Sequence, residues 1–311
     1  MKPPKLGALC LFENPSAEDG RALIRQFVLV READRMGYDE IWVAEQHGDR
    51  HHPSGAIIAL LGHLAGVTSK ARIGALPLLP ALHDAARLAE DLATVDQLSK
   101  GRLNIGLASG AAFPATLARH GIAPGQAAER LRQALALLQQ QLGHAQTVPQ
   151  PAQTTPSLWL ASDDPATLAL AGAQGLGLIA AATHTESRIR QMREAYGSAD
   201  ARLVLARYGC SAATHDAAVA IARPFFEALA SRAQAAGWGG DKRRSMAQDV
   251  DALLAQSLVG SHAEVAARIK RLGAELGVAS VAIAPTSAQF DTTKHILADF
   301  VDEVRPLLDE D

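Results

Sequence analysis

The chain has 311 residues, is 48% hydrophobic and 20% charged, and carries a formal net charge of −3. That composition suits a large globular core and gives no electrostatic support for binding nucleic acid or an anionic membrane. Aromatic residues are scarce, at 4%, which favours helices packed on a sheet over an aromatic-rich sandwich.

Strand-like and helix-like segments alternate almost throughout. Leu6–Phe12 reads as a buried strand, and Gly20–Met36 follows with helical spacing and Gly37 as its stop. Asp39–Ala44 is the second strand, and Ser54 caps a helix reaching about Thr68. Arg72–Leu79 is the third strand, Asp84–Leu98 the third helix and Arg102–Ala108 the fourth strand. Asp96, Ser99 and Gly101 turn the chain into that strand, with Arg102 expected to pair with Asp96 or Glu90. A helix over Ala127–Leu142 and a proline-bearing connector lead to a fifth strand at Ser157–Ala161 and a helix at Pro165–Ala173, with Pro165 near its first position. Strand six is Leu176–Ala182, followed by a helix over Glu186–Tyr196, and strand seven is Arg202–Tyr208. Thr214–Ala235 is helical, with Pro224 expected to kink it or start a new helix. The capping box of Ser261 and Glu264 opens a helix through Leu276, before strand eight at Val278–Ala284 and a last helix over Gln289–Leu307.

Eight such units predict an α/β fold built as a single (β/α)8 TIM barrel over residues 1–311, in preference to an open doubly wound sheet. The irregular block at 236–256, with GWGGDKRR inside it, reads as an insertion after strand seven, either a lid or a plain surface loop. Cys10 and Cys210 lie in apolar stretches and read as buried thiols of a reduced compartment. The N-terminal apolar run is broken by Glu13 and no later run is long enough to span a bilayer, so a soluble cytoplasmic protein is expected.

The chemistry concentrates in DEIWVAEQHGDRHHPSG, Asp39 to Gly55. An apolar strand runs straight into Glu45, Gln46 and His47, with His51 and His52 in the same loop, and ligands of parallel β/α proteins gather at such strand ends. By alternation Glu45 and His47 share a face and Gln46 takes the other. His47 is either a site residue or a structural histidine bonded to Glu45. His51 and His52 belong to a solvent loop or to the mouth, and His83 is intermediate. Either Asp163 or Asp164 caps the Pro165 helix. Gly172, Gly175 and Gly177 follow a helix and precede a strand, the reverse of a dinucleotide fingerprint. A metal hydrolase using His47, His51 and His52 is disfavoured by their spacing.

Several segments together resemble the bacterial luciferase-like family of flavin-dependent monooxygenases. They are DEIWVAEQH, then LPALHDAARLAEDLATVDQLSKGRLNIGLASG from Leu79, LWLASDDPATLALAGAQGLGLI from Leu158, and GSHAEVAARIKRLGAELGVASVAI from Gly260. The resemblance implies reduced FMN at the barrel mouth, delivered by a separate flavin reductase, and use of O2 to oxygenate a small organic substrate, in a homodimer. It implies a non-prolyl cis peptide under the flavin ring, mapping to Ala75–Leu76. It places the phosphate site at Ser109, Gly110, Ser162, Asp163, Asp164 and Thr167, and the catalytic candidates at Glu45, Gln46 and His47. The chain departs from luciferase at three of these. Ser109 replaces an arginine, Asp164 a hydroxyl, and Gln46 an imidazole that works in acid–base steps. Gln46 cannot transfer a proton near neutral pH, whereas His47 can. Two other readings follow from the resemblance: a deazaflavin (F420)-dependent hydride-transfer enzyme on the same fold, and a non-catalytic or degenerate flavin-binding relative.

Overall fold

A computed structural model describes residues 3–143, 147–198, 201–235 and 249–310. Its strands are β1 (Lys5–Cys10), β2 (Glu40–Val43), β3 (Arg72–Leu78), β4 (Leu103–Ala108), β5 (Ser157–Ala161), β6 (Gly177–Ala180), β7 (Leu203–Ala212), β8 (Leu258–Ser261) and β9 (Val278–Pro285). All pairings are parallel; β1 to β7 pair in sequence order, β7 pairs with β9, and β9 pairs back with β1. The result is the closed eight-strand barrel of a (β/α)8 fold. The short β8, absent from the sequence reading, lies outside that ring and pairs only with Gly209–Ala212 at the far end of β7.

Side-chain alternation divides the strands cleanly. Ile41, Val43, Ile73, Ala75, Ile105, Leu107, Leu158 and Leu160 face the surrounding helices. Leu9, Trp42, Leu76, Trp159, Ile179, Val204 and Ala282 fill the lumen. Trp42 and Trp159 meet edge to face there, with ring centroids 6.3 Å apart. They fit because facing strands carry glycine. A Cβ on Gly74 would stand 2.6 Å from Trp42 and 2.8 Å from the Asn104 carbonyl. Below the tryptophans the lumen is polar. Glu40 accepts from Trp42 Nε1 and Ser280, and Arg72 donates to Asn104, the Leu103 carbonyl and Gln153.

The helices that flank the barrel include α1 (Asp19–Met36), α2 (Ile57–Val67), α3 (Ala85–Leu98), α4 (Pro114–Arg119), α5 (Ala127–Gly143) and α6 (Pro165–Ala173). Then come α7 (Glu186–Tyr196), α8 (His215–Ala235), α9 (Val250–Gln256), α10 (His262–Leu276), α11 (Phe290–Asp299) and α12 (Arg305–Asp309). Among the described residues no helix is long and apolar enough to cross a membrane. Both cysteines are buried free thiols, which burial pushes up to about 12 for Cys10 and about 11 for Cys210.

Several local expectations are corrected. Helix α2 starts after Ala56, and Ser54 is buried with no capping role, because two more residues are spent leaving the histidine loop. Helix α8 runs unbroken through Pro224. The last helix is interrupted by a π turn at Phe300–Val304 before α12. Arg102 pairs with neither Asp96 nor Glu90. It donates to the carbonyls of Ser99, Thr68, Ala65 and Ala71, tying the end of α2 to the start of β4. Asp96 instead accepts from the backbone and side chain of Gln153. The expected insertion falls mostly on 236–248, outside the described residues; its remainder forms the capped helix α9.

The loop after β2 is anchored by charge. His52 bonds Asp49 through Nδ1 at 2.8 Å and Glu13, just past β1, through Nε2 at 3.1 Å. Glu13 also accepts from Arg232 of α8 at 3.3 Å. Burial alone would lower the His52 imidazole, but the bonds to Asp49 and Glu13 outweigh it and lift it to about 9. Burial likewise pushes Glu13 up, and His52 and Arg232 more than reverse it. The His52 bond, working against burial, draws Asp49 down to about 2.

Two outcomes follow from this packing. Gly74→Ala forces a methyl against an indole and a strand carbonyl that cannot retreat, so it should cost about 1–3 kcal/mol, read as a lower urea midpoint. Because His52 titrates higher folded than its unfolded 6.5, its contribution is full below pH 6.5 and is lost as pH rises through about 9. The stability gap between wild type and His52→Gln should therefore be widest just below pH 6.5 and narrow towards pH 9. A gap that does not vary with pH would contradict the charged cluster.

Candidate functional site

The C-terminal strand ends gather the chemistry-bearing residues on two sides of the lumen. At four of the ends the inward residue that follows the central lumen layer is alanine. Ala44 follows Trp42, Ala108 follows Gly106, Ala161 follows Trp159 and Ala284 follows Ala282. These alanines form an apolar floor above the tryptophans. Leu11, Ala182 and Tyr208 complete its edge. Tyr208 packs on Phe225 and Phe226 of α8, and burial pushes its phenol up to about 12, so it stays a protonated donor.

On one side stands Glu45, buried at the end of β2. Its side chain is 0% exposed. It accepts from the Leu79 amide at 2.6 Å, and its Oε1 is hydrogen-bonded to His47 Nε2 and His83 Nε2, each at 2.8 Å. The structural partner expected for His47 is thus present, and His83 joins it from the loop after β3. The two imidazoles remain partly open, with 19% and 24% of their side-chain surface exposed. The His120 ring lies edge-on to His47 at 5.3 Å. The Gln46 side chain makes no hydrogen bond to a described residue. His51 and His52 are drawn away to the Glu13–Asp49 anchor, so the three histidines of the loop do not converge. Among the described residues no group of three or more His, Cys, Asp or Glu could hold a metal ion.

The end of β3 differs from expectation. The cis bond is Leu76–Pro77, and Ala75–Leu76 is trans. Proline makes the cis form far less costly than it is between two other residues, and it stands one position further on. Pro77 also lacks an N–H, and the β3–β4 register shifts between Ala75 and Leu78. Ala75 packs in the outer layer, while Leu76 belongs to the lumen.

On the other side lie the ends of β4, β5 and β6. Asp164, not Asp163, caps α6, accepting from the Thr167 amide at 2.9 Å and the Thr167 hydroxyl at 2.5 Å. Those bonds hold its carboxyl below the usual range, with Arg132 of α5 adding to the effect from 3.6 Å. Asp163 is paired with Arg188 of α7 at 2.8 Å and lies 3.6 Å from His184. The β6–α7 loop carrying His184 is held by Arg207, whose guanidinium donates to the carbonyls of Ala181, Ala182, Ala206 and His184. Burial pushes that guanidinium down to about 9. Ser162 Oγ accepts from the Asp164 amide and Ser109 Oγ from the Ala111 amide, which leaves both hydroxyl hydrogens free to donate. Gly110 is buried with φ +74° and turns the chain away from β4.

Sequence reasoning missed Arg132, Arg188, Arg207 and Tyr208. Arg132 and Arg188 look like surface charges on amphipathic helices; only the barrel's closure brings them to the β5 end. Tyr208 was legible as the last inward residue of strand seven.

The comparisons with known proteins agree with this architecture. The chain is 30% identical over 95 residues to the alkanal monooxygenase beta chain of Photorhabdus laumondii, a stretch covering 30% of this chain and 29% of that one. Matches to the curated relatives span 24% to 58% of their lengths. The fold is similar to monooxygenase RslO1 from Streptomyces bottropensis, with a TM-score of 0.82, 19% identity and coverage of 97% and 99% of the two chains. It is also similar to the oxygenating constituent of 3,6-diketocamphane monooxygenase from Pseudomonas putida, solved with FMN, at a TM-score of 0.77, 17% identity and 98% and 99% coverage. An F420-dependent secondary alcohol dehydrogenase solved with an F420–acetone adduct gives a TM-score of 0.73, 16% identity and full coverage of both chains. At these identities the structures establish the fold alone. The family model of luciferase-like monooxygenases matches residues 5–280, and the chain belongs to that family.

Proposed function

We propose that the chain is an oxidoreductase that uses reduced FMN and O2 to oxygenate a small organic substrate. The observation that carries the reading is the asymmetry of the mouth. An apolar floor of alanines lies between an imidazole pair on Glu45 and a hydroxyl-and-arginine side at Ser109, Ser162, Thr167, Arg132 and Arg188. A flat, mostly apolar ring system with an anionic tail matches that arrangement.

The residues present fit the flavin's phosphate once the charges are counted. Asp164 would repel a dianion if it faced one unpaired. Its carboxylate is instead turned onto the first turn of α6 and balanced by Arg132, and Asp163 is balanced by Arg188. The Ser109 and Ser162 hydroxyls are left as donors. Bound reduced flavin supplies the electrons and the oxygen-activating chemistry. The protein's own part is to exclude water over the alanine floor, to orient the ring, and to move protons through His47 or His83, since Gln46 cannot. A separate flavin reductase, a homodimeric assembly and a cytoplasmic setting belong to the same reading.

A second reading is F420-dependent hydride transfer. Gln46 favours it, because hydride transfer asks less of an acid–base group at that position. Parallel titration with FMN, reduced FMN and F420 separates the two. Absence of saturable binding of any of them to folded protein would sink both. For the preferred reading, Arg132→Ala leaves Asp164 uncompensated beside the phosphate. FMN binding should weaken roughly tenfold or more, on the scale of a hydrogen bond to a charged group, with the folded spectrum unchanged.

A further inference from the structure

The buried carboxylate of Glu45 settles where protons sit on two imidazoles. Its Oε2 takes the Leu79 N–H, and its Oε1 takes both His47 Nε2 and His83 Nε2. An ionised carboxylate only accepts, so with Glu45 ionised all three partners donate and both rings carry hydrogen on Nε2. Neither Nδ1 has a hydrogen-bond partner among the described residues. Unlike the Nδ1 of His51, neither is sealed from solvent.

We propose that Glu45 is a positioning residue that locks His47 and His83 in the Nε2–H form and makes their Nδ1 atoms the points of proton exchange at the barrel mouth. The use of those atoms in oxygenation rests on the flavin reading above; the proton placement does not. One carboxylate thereby engages the same nitrogen of both rings and leaves each the same acceptor, from strand ends that are neighbours in the barrel.

The substitution Glu45→Gln tests this because it keeps the shape and changes one atom's hydrogen-bonding sense. The Leu79 amide hydrogen is fixed, so the new amide oxygen must face it. The new NH2 then faces both rings, and each must offer Nε2 as a lone pair and move its hydrogen to Nδ1. A nitrogen-15 correlation spectrum of histidine-labelled protein, recorded under alkaline conditions where both rings are neutral, reads the tautomers directly. Assignment comes from His47→Asn and His83→Asn. The expected result is Nε2–H for both rings in wild type and Nδ1–H for both in Glu45→Gln. Glu45→Asp, still an acceptor-only carboxylate, should retain the wild-type pattern. Nδ1–H on either ring in wild type, or a pattern unmoved by Glu45→Gln, overturns the proposal. Should Glu45→Gln fail to fold, Glu45→Ala takes its place, with a mixed tautomer population expected on both rings, and rings that stay wholly Nε2–H there overturn the proposal. Titrating the same samples with FMN keeps the two readings apart. Inverted tautomers without FMN binding leave the role of Glu45 standing and remove the flavin reading.

Discussion

Two indoles share one lumen, and the rest of the barrel is arranged around them. Trp42 and Trp159 are the largest inward side chains, and they meet edge to face. Closing eight strands around them requires the neighbouring inward positions to be empty. Gly7 and Gly74 make that room against Trp42, and Gly177 makes it against Trp159. The bulk lies in the middle of the lumen. The C-terminal layer above it carries alanine at Ala44, Ala108, Ala161 and Ala284, with Leu11 and Tyr208 at its edge. A packing constraint in the core thus sets the shape of the site.

The same strands that carry the indoles carry the charge. Two residues beyond Trp42, the inward register ends at Ala44 and the next residue, Glu45, is buried without a cation. A buried carboxylate must find hydrogen-bond donors or give up its charge. It finds them in a backbone amide and two imidazoles, all from the neighbouring β3 loop or its own strand. On the opposite side Asp163 and Asp164 have arginines from separate helices. The two sides of the mouth are therefore different electrostatic solutions to the same problem. One uses a backbone amide and two imidazoles, the other arginine cations.

Much of the frame was legible because its signals are local. The bounds of β5, α6 and α7 and the capping box of α10 follow from proline, glycine and serine at defined offsets, and the structure places them as read. What was not legible depends on closure. Arg102 looked like half of an ion pair, but it serves a cage of carbonyls that exists only when α2 and β4 are adjacent. The pair Asp163–Asp164 announced a cap without saying which residue made it. His83 stood apart in sequence from His47, yet one carboxylate oxygen holds both. β8 is four residues long and pairs with the overhang of a strand whose length sequence could not fix.

The place of Gln46 sharpens the chemistry. Gln46 puts an amide, which cannot carry a proton near neutral pH, at the end of β2. It does not remove proton transfer from the mouth. His47, one residue on, is turned back onto Glu45 and shares it with His83 across the β2–β3 boundary. The imidazoles of the site therefore stand at the rim between two loops, beyond the strand's last residues. In the oxygenase reading proposed above, proton transfer falls to the histidine pair and not to Gln46, whose amide cannot carry a proton near neutral pH.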